Sequence, residues 1–266
     1  MRYQASDYNT TTGVWTDSSG NNRNVLDPAT VGTITKVTTT AGQNSTSKAF
    51  VTVRGDTTST ITFPNAALNT YTFCQVSRYA GANRQRIFTH PTVNWLSGYL
   101  SGTSGSFYGV GNNGSVSPAT NDLTWHVFCD YNNYFRNNGA TSASVSRTSL
   151  PANIGINTWA GQASDWEVAE VLVYSSTLTL TQIQQIEGYL KDTYGLTAAT
   201  VPSTALGTSN YAATGDLTLY AQWTLDTYNI AYDANGGTGS PTKSADTFTY
   251  GSTTSYAGCR NYGKDQ

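Results

Sequence analysis

Three carboxylates on one short stretch, Asp165, Glu167 and Glu170 in DWEVAE, are the residues of this chain best spaced for chemistry. Two carboxyl groups about 5–5.5 Å apart on one face can cleave a glycosidic bond with retention, one as nucleophile and the other as acid and base. The stretch reads as a β-strand, so Asp165 and Glu167 share a face, while Glu170 falls on the opposite face unless a bulge intervenes. The spacing favours the plainer reading, strand carboxylates hydrogen-bonded to their neighbours. His90 and His126 stand in no Ser/His/Asp or metal-ligand spacing, and His126 on a strand's polar face reads as a satisfied surface residue. Gly109, Gly111 and Gly114 spell G-x-G-x-x-G, followed by SVSPATND with a proline and no helical period. A dinucleotide site needs a helix there, so a turn or exposed loop is expected. Cys74, Cys129 and Cys259 are too few for a disulfide scaffold and lack metal spacing. Cys74 and Cys129 lie inside strand-like runs and read as buried free thiols, with a bridge between them as the alternative.

The second chemistry within reach is sugar recognition, in which aromatic faces stack on pyranose rings and Asn, Asp and Arg supply hydrogen bonds. Trp95, Tyr99, Tyr108, Tyr131 and Tyr134 are the candidate platforms, with Arg84, Arg86, Asn132 and Asn133 beside them. Trp159 is a further aromatic, although Trp95 and Trp159 suit core positions equally well. Asp7, Asp17 and Asp130 are loop or strand-end carboxylates that could serve calcium, without a ligand spacing to support them.

The elements that must hold these groups are mostly strands. Only 11 % of residues are charged and 12 % are aromatic, with 18 Tyr and 6 Trp, and the abundance of Thr, Tyr and Val with Gly and Asn turns predicts an all-β protein. From Trp166 the residues alternate, placing Trp166, Val168, Glu170, Leu172 and Tyr174 on one face and Glu167, Ala169, Val171 and Val173 on the other. Both faces are largely apolar, as in a strand covered on two sides. The only convincing helix follows. Thr179 is its N-cap, Gln182 closes a capping box, Leu178 and Ile183 form a hydrophobic staple, and Gly195 is the stop. Ile183, Ile186, Leu190 and Tyr194 make one stripe. A lone helix of about fifteen residues is marginal in water, so it must dock on the strands. Earlier strands are expected at Val31–Val37, Ala49–Val53, Ser59–Phe63 and Tyr71–Tyr79. Between Leu123 and Tyr131, Leu123, Trp125, Val127, Cys129 and Tyr131 form a core face, and Thr124, His126, Phe128 and Asp130 form a partly polar one that could line a groove. Asn137–Gly139 is a hairpin turn signal. After Leu196, a small, polar stretch reads as a linker.

These strings carry a resemblance. WEVAEVLVY, then LT and YLKDTYGL, is similar to the end of the concanavalin-A-like lectin/glucanase superfamily in its laminin-G-like branch. YQASDYN, VWTDSSGNNRN, YTFCQVSRY, NWLSGY and WHVFCDYNN match earlier parts of that pattern in order. The resemblance covers residues 1–197 and implies a jelly-roll sandwich with one C-terminal amphipathic helix. Residues 198–210 read as the linker, and 211–266, through LYAQWT and YNIAYDANGG, resemble partial Listeria–Bacteroides surface repeats in a small β-rich tail. The superfamily holds sugar binders, glucanases and structural modules. Its laminarinase-type members carry E-x-D-x-x-E, where this chain has D-x-E-x-x-E, and calcium is common among them. The function expected is a non-catalytic surface module that recognises a neutral glycan or cell-surface polysaccharide, with no resident cofactor beyond calcium. Its place would be extracellular, on a cell surface or on a virion. The alternatives are a phage or virus particle component (fibre, decoration or minor capsid protein) that meets other chains through residues 205–266, and a laminarinase-like hydrolase. An N-terminus without an apolar signal-type run suits the particle component. The net charge of −2 leaves no basic footprint for nucleic acid, and no stretch is apolar enough for membrane insertion.

Overall fold

The computed structural model describes residues 1–26, 30–109, 112–131, 133–142, 149–196, 227–231 and 245–249. The chain divides into two compact units, Met1–Ala205 and Leu206–Gln266. The first is mostly β: two antiparallel sheets and, among the described residues, one α-helix. Trp166–Tyr174 is the central strand of the first sheet. Thr72–Tyr79 runs along its whole length on one side, while Val51–Gly55 and Arg2–Gln4 share the other. Beyond Thr72–Tyr79 come His126–Tyr131, Tyr134–Asn137 and Ala140–Thr141, and beyond Val51–Gly55 comes Thr35–Thr38. The second sheet runs in the order Asn112–Thr120, Thr103–Gly109, Leu96–Leu100, Phe88–Thr89, Gly155–Ile156, Thr60–Thr62 and Thr30–Val31.

Between the sheets lies an aromatic interior that includes Trp15, Phe63, Phe73, Phe88, Trp95, Tyr99 and Phe128. Phe63 stacks on Phe88 at 6.2 Å, and Phe73 meets Trp95 edge-on at 5.7 Å. A second apolar cluster, under the helix on the outer face of the first sheet, gathers Val76, Trp125, Val127, Leu172, Ile183 and Leu190.

The central strand departs from simple alternation. A register shift between Val168 and Glu170 inserts Ala169 as an extra residue, which turns the following side chains over. Trp166, Val168, Val171 and Val173 therefore face the second sheet, and Ala169 and Leu172 lie under the helix. The His126–Tyr131 strand, on the far side of Thr72–Tyr79, also corrects the sequence reading. Its apolar face, with Trp125, Val127, Cys129 and Tyr131, is covered by the helix. Its partly polar face turns into the sandwich and lines no groove: the His126 ring stacks on Phe128 at 5.1 Å, and Asp130 accepts from the Tyr71 hydroxyl at 3.1 Å. Polar groups are tolerated inside because each finds a partner. His126 Nδ1 lies 2.8 Å from Asn137 Oδ1 and its Nε2 lies 2.5 Å from Asp122 Oδ2.

Asp122 also accepts from the Thr124 backbone N–H and hydroxyl. Burial alone would raise its carboxyl, but the hydrogen bonds from His126 and Thr124 outweigh it and hold the group well below its ordinary 3.8. A lowered folded-state value stabilises the fold above the unfolded value and ceases to do so as pH falls. Asp122→Asn is therefore expected to cost about 1–3 kcal/mol at pH 7. Its deficit against the wild type should shrink as pH falls below 3.8, measured by urea unfolding across the acid range.

Cys74 and Cys129 stand directly opposite each other on adjacent strands, Cα to Cα 4.2 Å, and are joined in a disulfide. The free-thiol expectation is thus corrected. Whether two strand cysteines can bond depends on cross-strand register, which neither strand encodes alone. The expected strand Val31–Val37 is also two: Thr30–Val31 belongs to the second sheet and Thr35–Thr38 to the first. Gly32, at φ +80 and with the Thr58 carbonyl 2.6 Å from where a Cβ would sit, lets the chain cross between sheets. The hairpin turn is as expected, with Asn138 and Gly139 both at positive φ between Tyr134–Asn137 and Ala140–Thr141.

The helix spans Leu180–Tyr194 with a complete Thr179/Gln182 capping box and Gly195 in the left-handed conformation. Ile183, Leu190 and Tyr194 are buried, and Ile186 packs partly against the same cluster. Two charged residues, Glu187 and Lys191, share that inner face. They are there because the Tyr134–Asn137 strand directs Arg136 beneath the helix. Glu187 receives both Nε and Nη2 of Arg136 at 2.8 Å, and Lys191 Nζ donates to the Asn138 carbonyl at 3.0 Å.

In the second unit, Thr227–Ala231 pairs antiparallel with Ala245–Thr249. The LYAQWT string and the NGG of YNIAYDANGG lie outside the described residues. No helix among the described residues is long and apolar enough to cross a membrane.

Candidate functional site

The acidic trio is brought to one face after all, because the Ala169 bulge moves Glu170 to the helix side with Glu167. Neither carboxylate meets the surface: Glu167 is 1 % exposed and Glu170 is 0 % exposed. Glu167 is held by Arg78 Nε at 2.7 Å and by Arg54 at 3.5 Å. Glu170 accepts from Arg2 Nε at 2.8 Å and from the Tyr194 hydroxyl at 2.6 Å. Burial and the adjacent Glu170 carboxylate push the Tyr194 hydroxyl far above the usual tyrosine range, so it remains a donor. Asp165 accepts from the backbone and side chain of Asn83 at 2.9 and 3.1 Å, which fastens the 81–83 loop. These carboxylates are committed to holding strands, loop and helix together.

The sugar-binding candidates fall in separate places. Trp95 and Tyr99 are 2 % and 0 % exposed between the sheets, so neither ring faces solvent. Tyr99 shares the inner face with Ser97 by alternation, and its hydroxyl donates to the Ser77 carbonyl at 2.7 Å. Tyr131 and Tyr134 stack at 5.7 Å at the far end of the first sheet, with Tyr134 exposed and Asn133 half-buried. Asn132 lies outside the described residues. Arg84 donates to the Gly81 carbonyl and to Asn121 Oδ1 at 2.8 and 3.0 Å in a loop at the sandwich edge.

Besides the Tyr131–Tyr134 stack, Arg86 and Tyr108 lie near one another. Phe107 and Ser97 pair on the inner side of the second sheet, so their neighbours Tyr108 and Leu96 pair on its outer side, and Asn94 follows the same parity. Arg86 donates from Nη1 to Asn94 Oδ1 at 2.8 Å. Its guanidinium lies over the Trp159 indole, 4.6 Å from the ring centroid. The backbone joins the same pieces, with Arg86 N–H donating to the Gln162 carbonyl at 3.1 Å and Gln162 N–H to the Trp159 carbonyl at 3.3 Å. Asn157 anchors this loop from below, donating to the Ser164, Asp56 and Ser59 carbonyls and accepting from Ser164 N–H.

Two polar atoms in this cluster are sealed without a partner, the Arg86 Nε donor and the Gln162 Oε1 acceptor. Burial pulls Arg86 below the usual guanidinium range, and the nearby Tyr108 phenol works against that pull. The Trp159 indole, the Arg86 guanidinium, Asn94 and Gln162 gather where the 157–164 loop meets Arg86, with the Tyr108 phenol nearby, and together make an uncharged-to-cationic set of groups suited to polyhydroxylated rings. Asn94 and Gln162 were not among the residues singled out from sequence. Strand alternation could have found Asn94, on the opposite side from Trp95, but nothing local marks Gln162.

The calcium candidates do not assemble. Asp17 is enclosed by backbone N–H groups of Arg2, Ser19 and Arg23 at 2.8, 3.0 and 3.2 Å. Asp130 points into the sandwich. Asp7 accepts from Ser6 at 3.2 Å. Among the described residues no three His, Cys, Asp or Glu side chains are grouped to hold a metal.

No family model matches the chain. No curated protein matches it either. Solved structures similar to it include the receptor-binding domain of botulinum neurotoxin C/D mosaic serotype, at 12 % identity and TM-score 0.47 over 71 % of this chain and 50 % of that one. Another is domain 4 of AbnA, a GH43 extracellular arabinanase from Geobacillus stearothermophilus, solved with arabinotriose, at 12 % identity and TM-score 0.44 over 70 % of this chain and 96 % of that one. A third is the binding domain of botulinum neurotoxin DC in complex with SialylT, at 13 % identity and TM-score 0.41 over 74 % and 53 %. The chain spans about half the length of the toxin domains it matches. Likenesses at this level bear on neither ligand nor site.

Proposed function

We infer that the sandwich is a non-catalytic glycan-recognition module of the concanavalin-A-like, laminin-G-like kind, and that it holds its ligand on the outer face of the second sheet. The same reading takes residues 1–197 as that module, 198–210 as a linker and 211–266 as a β-repeat tail. The observation that carries it is the Trp159–Arg86 stack beside Asn94, Tyr108 and Gln162, in which a buried donor and a buried acceptor stand unsatisfied. Unpaired buried polar atoms cost free energy, and a polyhydroxylated ligand supplies both a donor and an acceptor to relieve that cost. The commitment of Glu167 and Glu170 to buried ion pairs supports binding without hydrolysis. The Cys74–Cys129 bridge supports an oxidising setting, outside a cell or on a particle. Glycan-array binding by the wild type, lost on Trp159→Ala, is the test.

A further inference from the structure

Two arginines are buried among the described residues, Arg136 at 3 % and Arg86 at 6 % exposure. They are equally enclosed but differently partnered. Arg136 presents its Nε–Nη2 edge to Glu187, one N–H to each carboxylate oxygen, at 2.8 Å and 2.8 Å. Arg86 has no carboxylate at all. Its protein partners are the neutral Asn94 Oδ1, reached through Nη1, and the Trp159 ring. Of its other two nitrogens neither donates to the protein, and only Nε is sealed from solvent. The edge that Arg136 uses to grip a carboxylate is therefore the edge that Arg86 leaves unused.

Guanidinium stays charged under any physiological condition, so a buried one without a counterion is held at a cost. Planar bidentate pairing with a carboxylate is the strongest relief available to it. The surroundings define what carries that carboxylate. The Trp159 indole offers stacking surface with the Tyr108 phenol nearby, and the sealed Gln162 Oε1 is an acceptor still without a donor.

We propose that the site selects an acidic sugar, a uronic or sialic acid residue whose carboxylate docks on the Nε–Nη2 edge of Arg86 while its ring hydroxyls meet Gln162 and Asn94. The inference rests on the glycan-recognition reading above and narrows it. It also replaces the neutral ligand expected from the low overall charge, because a net charge of −2 over the whole chain says little about one site holding an unpaired cation. Nε is sealed, so the carboxylate meets both nitrogens of that edge only once the side chains over it give way.

The test uses the full chain and ligand pairs that differ only in the acid. Sialyllactose is set against its sialic acid methyl ester, and oligogalacturonate against its methyl ester, by calorimetric titration. The acid member of at least one pair should bind about 10- to 100-fold more tightly than its neutral partner, the range for a hydrogen bond to a charged group. Arg86→Gln should abolish that preference, so that the acid and neutral members of each pair bind with equal affinity. Arg86→Lys, which keeps charge without the fork, should retain part of it, and thermal melts of both variants confirm folding. Acid and neutral members bound equally by the wild type would overturn this inference alone and leave glycan recognition standing. Absence of binding to every member of both pairs overturns the acidic-sugar assignment, and absence across a wide neutral and acidic glycan array overturns the parent reading with it.

Discussion

Glu170→Ala is expected to lower the stability of the sandwich by about 3–5 kcal/mol, the usual cost of removing one partner from a buried ion pair. Glu170 is fully buried where three parts of the chain meet: Arg2 from the N-terminal strand, and Tyr189 and Tyr194 from the closing helix. Arg2 further contacts the Tyr189 hydroxyl and lies 5.4 Å from its ring centroid. Deleting the carboxylate takes the ion-pair partner from Arg2 and the 2.6 Å acceptor from the Tyr194 hydroxyl together, so the loss exceeds that of a single hydrogen bond. Glu170→Gln keeps the volume and an acceptor and should cost less. Urea unfolding of the full chain reads both. An unchanged midpoint in Glu170→Ala, with loss of a laminarin-cleaving activity present in the wild type, would instead make Glu170 a catalytic group.

Loss of the Cys74–Cys129 bridge should be of similar size. The two positions are 55 residues apart in sequence, and the chain-entropy relation for a loop of that size gives about 4 kcal/mol. The bridge lies beneath the helix, in the cluster with Val76, Val127 and Leu172, so a Cys74→Ala/Cys129→Ala double variant also leaves a packing defect. The comparison that isolates the cross-link is wild type with and without reductant. Denaturant midpoints should fall on reduction and recover on reoxidation. Midpoints insensitive to reductant would show that the two thiols are not joined in the folded protein.

These two results concern features that sequence reading places only in part: it takes Glu170 as a bonded strand carboxylate but on the face opposite Glu167 unless a bulge intervenes, and it holds the Cys74–Cys129 bridge as the alternative to free thiols. The helix was legible because everything that defines it is local: an apolar stripe at 3.6-residue spacing, a capping box three residues long and a glycine stop. The strands were legible as elements for the same reason. What alternation cannot say is which face meets which layer when both faces are covered, so His126 and Asp130 were read as groove-facing although they point inward. Nor can it locate a one-residue bulge, and Ala169 alone moved Glu170 to the side of Glu167. Cross-strand register joined Cys74 to Cys129 and split the Val31–Val37 run between two sheets.

The site was half legible. Arg86 and Tyr108 were candidates by type, and Trp159 was balanced between core and surface. What brings them together is a loop some 75 residues downstream, tied to Arg86 by the Gln162 carbonyl and seated by Asn157. No local pattern encodes that contact. Trp95 and Tyr99 had the right chemistry but sit between the sheets.

The most direct measurement sets Trp159→Ala against Tyr134→Ala in titrations with the best glycan ligand of the wild type. Tyr134 is the exposed aromatic candidate, stacked on Tyr131 at the far end of the first sheet, whereas Trp159 is half-buried. Truncating an aromatic anchor at the centre of a binding site costs about 2 kcal/mol or more, so Trp159→Ala should weaken binding by about 30-fold or more while Tyr134→Ala leaves it unchanged. Full affinity in Trp159→Ala, with binding lost in Tyr134→Ala, would contradict the placement of the site on the second sheet.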